Sequence, residues 1–61
     1  MDEDMIVIQR EGRVWAVRHN SKFLGYTSTR EEAAIVAQDL MDWMARRGRT
    51  AALVVDAHRP D

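Results

Sequence analysis

TREEAAIVAQDLMDWMARRG, residues 29–48, is the only stretch of this chain long enough to form a helix that covers a small sheet. Its start is written in the spacing of Thr29 and Glu32, which is that of a capping box. The Thr29 hydroxyl is placed to accept from the amide of Glu32, and the Glu32 carboxylate to reach back to the amide of Thr29. Glu31 and Glu32 also suit the positive end of the helix dipole. Ala33, Val36, Ala37, Leu40 and Met44 recur every three or four residues and form one apolar stripe, with Met41 and Trp43 on its shoulders. Small residues lead the stripe, so the helix can approach a sheet closely at its N-terminal end. Gly48 follows Arg46 and Arg47 and is the expected C′ residue that stops the helix.

Outward from the helix, the remaining apolar runs are short and rich in Val, Ile and aromatics, and they read as strands. Met5–Ile8 is continuously apolar, which places it in the middle of a sheet. Glu11-Gly12 supplies a tight turn. Val14–His19 is the second strand, with Trp15 and Val17 directed to the helix and Val14, Ala16 and Arg18 to the other face. Asn20-Ser21 is a second turn signal. In the third strand, Lys22–Thr27, strict alternation puts Phe23 and Gly25 on one side and Leu24 and Tyr26 on the other, while Gly25 leaves the register beyond it open. Thr50–Val55 is a fourth strand.

A strand, helix, strand connection makes the last strand parallel to a neighbour. Placed beside the first strand, it explains why Met5–Ile8 lacks alternation. The fold expected is therefore a two-layer α+β domain: a three-stranded antiparallel meander, one helix and a fourth strand (βββαβ). Sheet order 3-2-1-4 is preferred, with 1-2-3-4 as the alternative. Residues 1–61 form one domain, with 1–4 and 57–61 as flexible tails.

Composition removes several functions. The 61 residues include no cysteine, so disulfide scaffolds and thiolate chemistry are excluded. Nine basic and ten acidic residues give a net charge of -1, which favours neither nucleic acid nor a membrane surface. The acidic start and the short Met5–Ile8 run do not make a secretory leader, so a soluble cytoplasmic protein is expected. His19 and His58, the only histidines, stand at a turn and in the tail, too few and too far apart for a metal site. Ser21, Ser28 and Thr29 have turn and capping roles, and Gly12, Gly25 and Gly48 are too scattered to cradle a phosphate. The chain is read as non-enzymatic, with no cofactor and no metal. Asp39 and Asp42, one helical turn apart, are solubilising charge, and Trp15 is core rather than a base-stacking platform.

Two surfaces remain as binding candidates. Arg10, Arg13, Arg18 and Lys22 on the hairpin would face phosphates if the sheet bound DNA or RNA, although that chemistry normally wants a basic excess. Val14, Ala16, Leu24 and Tyr26 on an uncovered sheet face, with Ile35 and Trp43 on the helix, leave more apolar surface than a lone two-layer domain shows. They are the candidate interface of a homodimer or larger homo-oligomer.

The succession R-x-W-A-V from Arg13, F-L-G-Y from Phe23 and T-R-E-E-A-A from Thr29 resembles plant ethylene-response and phage integrase arm-type DNA-binding domains. That resemblance implies a three-stranded sheet packed on a helix, with the sheet on DNA. A fourth strand follows the helix here, where those domains stop. Over nearly the whole chain, the apolar first strand, G-x-V-W-A-V, the T-x-x-E-A helix start and the closing A-x-L-V-V strand are similar to a family of small bacterial proteins of unknown function (DUF2188-like). This second resemblance implies a βββαβ protein and no activity. The function expected is a self-associating binding or regulatory module, with a sheet-based DNA or RNA binder and a small inhibitor or accessory protein capping a larger partner as alternatives.

Overall fold

Two tight turns fold the N-terminal half into a meander. The computed structural model describes residues 3–56. Strands β1 (Asp4–Glu11), β2 (Val14–His19) and β3 (Lys22–Thr27) are followed by helix α1 (Arg30–Ala45) and strand β4 (Ala51–Asp56). Gly12 opens the first turn at φ +65°, a conformation that costs glycine nothing. Asn20 and Ser21 form the second with φ +51° and +72°, the left-handed pair that a type I′ hairpin requires. The sheet order is β3-β2-β1-β4, with β1, β2 and β3 antiparallel and β4 parallel to β1. The order 3-2-1-4 is thus the observed one, and 1-2-3-4 is not.

The core lies between one sheet face and α1. Ile6, Ile8, Val17, Ala33, Ala37 and Met44 are buried together, and Trp15, Leu40, Met41 and Ala51 pack against them. Ala33 and Ala37 bring the N-terminal half of the helix close to the sheet, and Met44 fills the wider end. The stripe is turned slightly from its expected position: Met41 packs on the core while Val36 stays exposed. Burial along β1 alternates, with Ile6 and Ile8 under the helix and Met5 exposed on the other face. Its unbroken apolar run reflects a central position, and the second face is simply not covered.

β3 departs from strict alternation. Val17 pairs with Gly25 but Arg18 with Phe23, so a bulge leaves Leu24 without a partner. The bulge moves Phe23 onto the uncovered face, where its ring stands 4.8 Å from that of Tyr26. Leu24 turns instead to the helix side, beside Val17 and Val36. The expected grouping of Leu24 with Tyr26 is corrected accordingly: the register breaks before Gly25 rather than after it.

The helix start matches its sequence signature with one shift. Thr29 Oγ1 accepts from Glu32 N at 3.1 Å, but the Glu32 carboxylate accepts from Ser28 N at 3.0 Å, one residue earlier than a standard capping box. Thr29→Ala is expected to cost about 1 kcal/mol, since the cap bond is lost from an exposed terminus. Thr29→Ser should restore most of it, and urea denaturation midpoints compare the three. At the other end Gly48 takes φ +74°, Gly48 N donates to Ala45 O and Arg49 N donates to Met44 O, each at 3.0 Å. That pair of bonds is a Schellman motif with Gly48 at C′, as expected, and it sends the chain back toward the start of β1.

Asp4 is the main correction to the expected N-terminal tail. It begins β1, its amide donates to Thr50 O, and it is only 2% exposed. Residues 1, 2 and 57–61, including His58, lie outside the described residues.

Candidate functional site

Asp4 lies on the helix-facing side of β1 because it is in phase with Ile6 and Ile8. Its Oδ1 accepts from Asn20 Nδ2 at 2.8 Å and from Arg49 at 2.8 Å, and His19 Nε2 stands 3.1 Å away. The Asn20 amide is the largest influence on its carboxyl, and with His19 and Arg49 it holds the pKa below the usual carboxylate range, against burial, which acts to raise it. Oδ2 is buried with no hydrogen-bond partner among the described residues. Asn20 also closes the edge of the cluster: its Oδ1 accepts from Met5 N at 2.7 Å, and its backbone N–H donates to Met5 O at 2.8 Å.

The cluster joins three segments distant in sequence: the start of β1, the β2–β3 turn and the α1–β4 connection. Sequence reading missed it by grouping Asp4 with its acidic neighbours. The available signal was parity, since Asp4, Ile6 and Ile8 alternate. As chemistry, the arrangement is a carboxylate holding an imidazole with no nucleophile set against it: among the described residues the His19 ring is hydrogen bonded to Asp4 alone. Nor do three His, Asp or Glu side chains gather among the described residues to hold a metal ion. Asp42, read with Asp39 as solubilising charge, accepts from Gln38 Nε2 at 3.0 Å.

The four basic hairpin residues do not converge. Arg10 is opposite Trp15 at one end of the hairpin, and Arg13 is in the turn beside it. Lys22 is opposite His19 at the other end. Arg18 is on the uncovered face, paired with Glu11 at 3.0 Å and 5.6 Å from the centre of the Phe23 ring. A backbone-tracking stripe would need these charges in a row and unpaired.

The apolar candidates fall on separate surfaces. Ala16 is fully buried and cannot meet a partner, and Val14 is half-buried. Tyr26 stays 59% exposed on the uncovered sheet face, with Phe23, Met5 and Val54 also exposed there. Ile35, 61% exposed, is on the helix near the β3 end. Trp43 is exposed but stacked by the Arg47 guanidinium, 3.7 Å from its ring centre. Beyond these residues, Leu53 and Val55 of β4 are also exposed, although their pairing with Ile6 and Ile8 turns them to the helix side. The helix sits over the middle of the sheet and leaves that edge bare. Sequence reading counted these two as ordinary strand residues.

Compared with known proteins, the chain matches no family model, no curated protein and no solved structure. No helix among the described residues is long and apolar enough to cross a membrane.

Proposed function

We propose that this domain is a non-enzymatic binding module that associates with a second copy of itself. The observation that carries this reading is the apolar surface left over after one helix has covered one sheet face: Met5, Phe23, Tyr26 and Val54 on the second face, and Leu53 and Val55 at the edge. So small a chain builds only one hydrophobic layer, and association is the remaining source of buried area. Such a surface on a small domain marks contact with another protein more often than with solvent. The Asp4 cluster supports the non-enzymatic part, because its hydrogen bonds tie backbone segments together and present no nucleophile.

A nucleic-acid role finds less support, since Arg10, Arg13, Arg18 and Lys22 are divided between two ends and two faces of the hairpin. Sedimentation equilibrium at micromolar concentration tests the proposal. A dimer or larger species is expected, and a strict monomer at all concentrations ends the reading.

A further inference from the structure

We infer that β4 pairs antiparallel with β4 of a second copy about a two-fold axis at Leu53, joining the two four-stranded sheets into one. This rests on the self-association reading and names its surface. An edge strand offers a row of unpaired amides and carbonyls, and natural sheets blunt such edges with charge, proline or a bulge. β3, the other edge, carries a bulge and Lys22. β4 has none of these between Ala51 and Val55. Its side chains are open on both faces as well, with Leu53 42% and Val55 37% exposed beside the helix and Val54 exposed on the opposite side.

The sequence of the strand is self-complementary. A two-fold axis perpendicular to the sheet keeps each residue opposite one of the same face, so only registers that pair odd with odd and even with even are allowed. Centred on Leu53, the pairing sets Ala51 opposite the second copy's Val55, and Ala52 opposite its Val54. A small residue thus meets a β-branched one on each face. Asp56, on the same face as Ala52 and Val54, then stands opposite the second copy's Thr50, whose hydroxyl can donate to its carboxylate. Shifting the centre to Val54 sets Asp56 opposite Ala52 and loses that match. The two-fold arrangement uses the β4 edge of both copies and therefore closes at a dimer.

The absence of cysteine makes the test clean. Single variants Leu53→Cys, Val54→Cys and Tyr26→Cys are oxidised mildly at micromolar concentration and read on a non-reducing gel. Leu53→Cys should form a covalent dimer fastest, because the axis sets that residue against itself. Leu53→Lys should weaken the dimer by at least about tenfold in Kd with an unchanged far-ultraviolet spectrum, since it sets like charges together on the axis. A dimer that survives Leu53→Lys, or that cross-links faster through Tyr26→Cys or Val54→Cys, overturns this pairing and leaves self-association standing. A monomeric wild type removes both.

Discussion

Ile8→Ala should leave the domain largely unfolded at room temperature. Ile8 is fully buried, between Val17 on β2 and Val55 on β4, in the cluster that Ala33 and Ala37 close from above. Removing most of a core isoleucine costs about 2–5 kcal/mol, the upper part of the range applying where neighbours cannot collapse. Both strand neighbours are fixed by backbone pairing, so collapse here is restricted. The core of a domain this small rarely supplies more than about 3–5 kcal/mol in total. Urea unfolding followed by Trp15 and Trp43 fluorescence measures the loss. Met5→Ala is the control: it lies on the same strand but is exposed on the other face, and it should cost far less. Equal losses would mean that α1 does not cover the face bearing Ile6 and Ile8.

Asn20→Ala should have the next largest effect, at about 3–4 kcal/mol, from two lost hydrogen bonds, one to a carboxylate, and from alanine forced into a left-handed conformation. The bonds are those to Met5 N and Asp4 Oδ1, and the conformation is φ +51°. Asn20→Gly separates the two causes, since glycine accepts the backbone angle but makes neither bond. The difference between the variants should be about 1 kcal/mol. The same cluster sets an acid limb. The Asp4 pKa is lowered from 3.8 in the folded chain, so its contribution is fully present above that value and is lost as pH falls through the lower, folded value. Asp4→Asn should therefore lower the melting temperature at neutral pH and flatten the decline in stability below about pH 4. If the wild type and Asp4→Asn decline in parallel across that range, the Asp4 carboxylate is not tied down as described.

The features legible in the sequence were those with local chemistry. Thr29 and Gly48 announce the two ends of the helix through spacing and through freedom at positive φ, and Asn20-Ser21 announces its hairpin. The central place of β1 followed from an apolar run without alternation. What stayed hidden depended on contacts across the chain. The bulge at Leu24 arises from pairing with β2, so alternation within β3 misplaced Phe23. Asp4 was read as solvated because its partners Asn20, His19 and Arg49 come together only when the hairpin and the helix exit meet it. The bare edge at Leu53 and Val55 was equally invisible, because hydropathy does not reveal how far a helix reaches across a sheet.

The position of β1 has a consequence for the order of events in folding. β1 is the first strand in the chain, yet its inner edge is completed only by β4, from the far end of the described residues. The hairpins can form early through local contacts, but Ile6 and Ile8 gain their cover and second neighbour only after α1 and β4 exist. Closing that long separation is the slow step that topology imposes. A chain emerging from the ribosome would hold Ile6 and Ile8 of β1 exposed until the last strand is made, so truncation within β4 should yield aggregation in place of a partly folded domain.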